Sequence, residues 1–153
     1  MNAKDFDIYF VKTGLDDIWL GAQPADRIFQ FSFQGPRLLI LNTDESDGRG
    51  LHWVTVYVPV FGPLEFFDSL GQSPGTYRDY FRSWLVSSGR GYVRNGRRYQ
   101  DYGTDTCGEF CIYYALKRLS GETMMQIVQT LDSRNLSYNE LIVSDFVCNL
   151  FDQ

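Results

Sequence analysis

Apolar positions recur at helical spacing in some stretches of this chain and at strand spacing in others. The densest helical run is Phe110-Cys111-Ile112-Tyr113-Tyr114-Ala115-Leu116, which carries on to about Leu119 and stops at Gly121. Tyr77, Tyr80, Phe81, Trp84 and Leu85 follow the i, i+3, i+4, i+7, i+8 pattern of one core-facing helix closed by Gly89. Ala3 to Lys12 predicts a short helix with Phe6, Phe10 and Val11 on one side, followed by a turn over Leu15–Leu20 and a loop at Gln23–Asp26. Glu122 to Leu131 predicts another helix. Ser137-Tyr138-Asn139-Glu140 has capping-box spacing and predicts a last helix carrying Leu141, Ile142, Phe146, Val147 and Leu150.

Strand spacing appears between these segments. Phe29-Gln30-Phe31-Ser32-Phe33 alternates strictly and predicts a half-buried edge strand ended by Gly35-Pro36. Arg37–Leu41, Leu51–Val58 and Leu64–Phe67 are rich in β-branched, aliphatic and aromatic residues. Pro59, Gly62 and Pro63 mark a turn between the last two, and Asn42–Gly50 is a polar surface loop. With residues 59–63 as the turn, Val58 faces Leu64. His52 then lies diagonally from Asp68 on one sheet face, a backbone separation of about 7–8 Å that the two side chains can bridge. Helices and strands interleave without repeats or a linker, which predicts one α+β domain over residues 1–153.

Composition narrows the function classes. A chain of 153 residues can bury about 68–70% of its unfolded surface, so 44% hydrophobic content is enough for a core without staples. The net charge of −5 provides no global attraction for nucleic acid. Arg90, Arg94, Arg97 and Arg98 cluster around Tyr92, and this cluster is the one place where a phosphate backbone could be held; the commoner reading is a solvated hairpin tip. No apolar run is long enough to span a membrane, and Met1–Asp5 does not open a signal peptide. The three cysteines therefore read as reduced thiols of an intracellular protein. Cys107, Cys111, Cys148 and His52 lack the paired spacing of a zinc knuckle, so no metal is expected.

The chemistry converges on the start of the long apolar helix. Thr106 and Glu109 have capping-box spacing, which puts Cys107 at the first helical position. Free amides and the helix dipole favour negative charge there, so a thiol can ionise below its free value of about 8.5. Cys111, one turn inside, lacks those amides and reads as core. Cysteine hydrolysis of a peptide needs a thiolate, an imidazole, a group that fixes the imidazole, and oxyanion donors. The chain offers Cys107, its single histidine His52, Asp68 and Gln100.

These residues stand within motifs that resemble the adenovirus-type cysteine endopeptidases (adenain) and, more distantly, the SUMO/ubiquitin-like-protein proteases. Trp19-Leu20-Gly21, Leu41-Asn42-Thr43, His52-Trp53, Phe67-Asp68-Ser69-Leu70-Gly71 and Cys107-Gly108-Glu109-Phe110-Cys111 carry the resemblance, and Gln100 keeps the adenain spacing to the cysteine. It covers about residues 15–120 and fades in the C-terminal helices. The resemblance implies a papain-like fold, with a central mixed sheet packed against helices and a buried central helix carrying the nucleophile. It also implies that Cys107 is the nucleophile, His52 the base, Asp68 the group behind the ring and Gln100 an oxyanion donor. Trp53 is similar to a SUMO-protease tryptophan that lids a glycine-only channel, which implies cleavage at Gly-rich sites. The family implies maturation of viral structural precursors in the host nucleus or cytoplasm, with packaging in the virion as a further expectation. Adenoviral enzymes use a disulfide-linked peptide and DNA as cofactors. No cysteine lies between Asp68 and Cys107 to anchor such a peptide, so activity without either cofactor is expected. Removal of SUMO- or ubiquitin-like modifiers, and a catalytically idle binding module, are the alternatives.

Overall fold

A five-stranded mixed sheet runs through the middle of the computed structural model, which describes residues 1–11, 14–15 and 17–151. Its strands lie in sequence order: β1 (Trp19–Gln23), β2 (Arg37–Asn42), β3 (Trp53–Val58), β4 (Leu64–Phe67) and β5 (Tyr92–Arg94). The outer pairs are parallel, and β2–β3 and β3–β4 are antiparallel. Thr55 stands opposite Phe67 and Tyr57 opposite Glu65, the register expected from the Pro59–Pro63 turn.

Both faces of the sheet are covered, which is why β2 reads as an almost unbroken apolar run. Leu39, Leu41, Val54, Val56 and Phe66 pack on one side against Phe81, Trp84 and Leu85 of α3 (Asp79–Ser87). Leu38, Ile40 and Tyr57 pack on the other side against α1 (Ala3–Val11) and α4 (Cys107–Leu119). The far side of α4 is closed by α5 (Met124–Gln129) and α6 (Leu136–Cys148), with Phe110, Tyr113 and Tyr114 meeting Ile127, Leu131 and Val143. A helix enclosed on both sides needs apolar residues all round, and Phe110 to Ala115 supply them. This is the α+β architecture expected, with a buried central helix.

Local expectations failed where tertiary contacts outbid periodicity. Phe29–Phe33 is not an edge strand: Ala25–Gln30 is a 3-10 turn, and the aromatics lean on α3 instead, Phe33 on Trp84 and Phe29 on Tyr80. The stripe from Tyr77 to Leu85 is two helices, α2 (Pro74–Tyr77) and α3, separated by an extended Arg78. Neither predicted capping box forms. Thr106 makes no cap bond, because its hydroxyl donates to Glu140 Oε2 at 2.6 Å; α6 is capped instead by Asn135, which accepts from the Tyr138 N–H. The box that does form is Thr123 with Gln126, at the start of α5. Trp19 and Leu20 belong to β1 rather than to a turn, and the Arg90–Arg98 segment contains strand β5, not a hairpin tip. The ends of the predicted first helix and turn at Lys12 and Asp16 lie outside the described residues.

Candidate active site

Cys107 is the first residue of α4 and is half-buried. Its backbone N–H belongs to the first turn, where amides have no partner within the helix. The approach to it is tied on two sides. Ser69, just past β4, accepts the Tyr99 and Gln100 N–H groups on its carbonyl and donates its hydroxyl to Gln100 Oε1 at 2.6 Å. Gln100 Nε2 in turn donates to the Thr104 carbonyl at 3.1 Å. On the other side Glu140 of α6 accepts from the hydroxyls of Thr104 (2.9 Å) and Thr106 (2.6 Å). E140A should loosen this loop and slow alkylation of Cys107 several-fold while moving the melting temperature by about 2–4 °C, as read by thiol-labelling kinetics and a thermal melt.

His52 and Asp68 sit where the β3–β4 ladder continues past its last paired residues. His52 Nε2 meets Asp68 Oδ1 at 2.6 Å, with the ring nearly buried and the carboxylate fully so. Nε2 being engaged, Nδ1 is the ring nitrogen left over for a second partner, and Cys107 is near enough to raise the affinity of the ring for a proton. Asp68 also accepts from the Leu70 and Gln72 N–H groups (both 3.0 Å) and from the Tyr77 hydroxyl (2.5 Å). These donors fill the roughly four acceptor positions of a carboxylate. Asn95, just past β5, clamps the Asp68 backbone, accepting from its N–H at 2.9 Å and donating to its carbonyl at 2.6 Å. The turn after Asp68 requires Gly71: φ is +73°, and a Cβ there would lie 2.6 Å from the Arg97 backbone.

Burial works against charge on His52, but hydrogen bonds and charges from Asp68 and Cys107 outweigh it and push the imidazole up to about 9. The ring is therefore an imidazolium through the neutral range, the counter-ion that a reactive thiolate needs. A raised value stabilises the fold fully below the unfolded value of about 6.5 and is lost as pH climbs through about 9. Wild type should thus lose on the order of a few kcal/mol between pH 7 and 10 that His52→Gln does not lose. Thermal melts across that range check this, and NMR of the ring is unambiguous because the chain has one histidine.

The remaining predicted residues are placed as follows. Cys111 is buried, and burial pushes its thiol well up, so it is an inert core residue as expected. Trp53 is half-buried, packs edge-on against Phe6 and donates its indole N–H to the Met1 carbonyl. It lines a cleft of about 450 Å³ together with Met1, Leu51, Asp105, Cys107 and Gly108. The arginines go separate ways. Arg90 spends its donors on the Phe33, Pro59 and Gly62 carbonyls, Arg94 reaches the Gly71 carbonyl, and Arg98 lies over the Tyr102 ring. Among the described residues no helix is long and apolar enough to cross a membrane.

Sequence reasoning missed Tyr77, Asn95 and Glu140. Asn95 and Glu140 act 27 and 34 or more residues from the groups they hold, with no local spacing to betray them. Tyr77 was hidden inside an apparent core stripe.

A half-buried thiol at a helix start, an imidazole beside it and a buried carboxylate behind the ring make up a thiol–imidazole–carboxylate centre. No family model matches the chain. It is 28% identical over 101 residues to the SUMO-1 cysteine protease of African swine fever virus (isolate Pig/Kenya/KEN-50/1950), over 60% of this chain and 37% of the relative. The chain therefore spans little more than a third of the curated relative that it matches. Two crystal structures of the African swine fever virus protease superpose with TM-scores of 0.42 and 0.43 at 25% and 22% identity. Both cover 67% of this chain, and 42% and 40% of theirs. The central domain of an uncharacterized protein from Legionella pneumophila superposes with a TM-score of 0.48 at 17% identity, over 89% of each chain.

Proposed function

We propose that this chain is a cysteine endopeptidase whose nucleophile is Cys107. The observation that carries the reading is His52, seated on buried Asp68 at 2.6 Å and near enough to Cys107 to interact with it electrostatically. The Cys107 thiolate attacks the scissile carbonyl, forming a C–S bond and moving the π electrons onto oxygen. The His52 imidazolium then protonates the leaving amine as the C–N bond breaks, leaving a thioester. Neutral His52 next takes a proton from water, whose oxygen displaces the sulfur and releases the acid. Asp68 holds the ring orientation throughout. The donors for the oxyanion are the Cys107 N–H and the Gln100 Nε2 amide, which keeps its 3.1 Å bond to the Thr104 carbonyl and gives up its longer 3.4 Å contact with the Thr104 hydroxyl. Q100A should lower kcat by about 10²–10³ with little change in KM, measured on a cleaved peptide.

The resemblance to adenain-type enzymes favours Gly-Gly or Gly-x-Gly sites and maturation of viral structural precursors, with Trp53 walling the channel for glycine. Activity is expected without a peptide or DNA cofactor; with Arg90 committed to backbone carbonyls, the arginine segment is a poor phosphate cradle. A second reading, removal of SUMO-like modifiers, is favoured by the similarity to a protein described as a SUMO-1 cysteine protease. Side-by-side turnover of Gly-Gly peptides and of a SUMO conjugate decides between them. No cleavage of either, with an unreactive Cys107, would leave a protease-like binding module.

A further inference from the structure

The break in the predicted aromatic helix has a consequence for the site. Arg78 adopts φ −147° and ψ 130°, so α2 ends at Tyr77 and α3 begins again at Asp79. Arg78 is held in that conformation by its own side chain, which donates to the Thr43 carbonyl at 3.0 Å and to Glu45 Oε1 at 2.9 Å. Tyr77 is thereby turned so that its hydroxyl reaches Asp68 Oδ2 at 2.5 Å, while its ring lies 5.6 Å from the His52 ring at a tilt of 34°. The two backbone amides on the same carboxylate, Leu70 and Gln72, come from one short turn and move with it. The Tyr77 hydroxyl comes from a separate helix and fixes the carboxylate from another direction. Burial, reinforced by the Asp68 charge, pushes the phenol far above its ordinary range, so it remains a donor at every working pH.

We propose that Tyr77 is a positioning residue of this site: its hydroxyl holds Asp68 Oδ2 so that Oδ1 stays seated on His52 Nε2. The inference rests on the Cys107–His52–Asp68 reading above. It assigns Tyr77 no contact with substrate. The titratable groups facing the His52 ring are Asp68, Cys107 and Tyr77 itself, and Tyr77 also faces Tyr102 and Cys107.

Y77F keeps the ring and removes only the donor. It should lower kcat by about ten-fold with KM unchanged, the size expected when a charged acceptor loses one partner. With one donor fewer the carboxylate sits less firmly on the ring, so the alkaline limb of the rate–pH profile, where His52 gives up its proton at about 9, should move down by about half a unit or more. A merely structural role would not move that limb. Alkylation of Cys107 is followed beside peptide cleavage because it needs no substrate. If wild type alkylates quickly but cleaves nothing, and Y77F still shifts the limb, the protease reading fails and the positioning role stands. If wild type cleaves and Y77F matches it in rate and profile, the positioning role is overturned and the protease reading stands. The wild-type chain offers a check that needs no variant. A slowly exchanging, far-downfield hydroxyl-proton resonance with a cross-peak to the Tyr77 ring is expected, and its absence overturns the proposal.

Discussion

Cys107→Ala abolishes both peptide hydrolysis and labelling by an electrophilic peptide probe, while the fold survives. The expected loss in kcat is at least about 10⁴, because removing the nucleophile of a thiol or serine centre leaves only oxyanion donors and binding to act. The other thiols cannot substitute. Cys111 is buried one turn into α4 with its thiol pushed up by burial, and Cys148 is exposed at the end of α6. Cys148→Ser should therefore retain full activity-probe labelling, whereas a simple alkylating reagent will still mark Cys148 in the Cys107→Ala chain. Cys107 is half-buried and helps hold the charge on His52, so its loss should cost about 1 kcal/mol. Probe labelling that persists in Cys107→Ala would remove the enzyme reading altogether.

Asp68→Ala is the substitution expected to damage the molecule most. Asp68 is fully buried and accepts from His52, Tyr77, Leu70 and Gln72. Deleting it leaves these donors without an acceptor and His52 without its counter-charge. Breaking a buried charged pair from one side costs roughly 3–5 kcal/mol, which in a domain of this size lowers the melting temperature by about 10 °C. Asp68→Asn preserves the volume and separates function from stability. Its ring titration should move down from about 9 towards the ordinary histidine range, and kcat should drop by about 10³–10⁴ as the imidazole loses its orientation and charge. Urea melts and NMR of the one histidine read the two effects independently. A melting temperature within a degree of wild type for Asp68→Ala would contradict the network described above.

How far the chain could be read depended on the reach of each signal. The strands from Arg37 to Phe67 were legible because nearly continuous runs of β-branched, aliphatic and aromatic residues and a proline-bracketed turn leave one workable register, and that register alone brings His52 to Asp68. The apolar helix opening at Cys107 was legible because a helix buried on both sides carries apolar residues on every face. The caps were misread: Thr106 and Glu140 have the right local spacing, but each finds a better partner in the other across 34 residues. Periodicity joined Tyr77 to the stripe of α3 because pattern reading assigns a residue by its neighbours, and what breaks the helix is Arg78 reaching the Thr43 loop 35 residues away.

Sequence by itself thus determined the three central strands, the buried helix and the identities of a thiol, an imidazole and a carboxylate in suitable order. Those features follow from hydrophobic burial, which acts at every position and leaves a period in the chain. Only the tertiary structure decided what holds the carboxylate and the loop before the thiol, namely Tyr77, Asn95, Ser69 and Glu140. Hydrogen bonds of this kind are single directional contacts between distant segments. They become determinate only when packing has brought the two ends together, and so they leave no periodic trace.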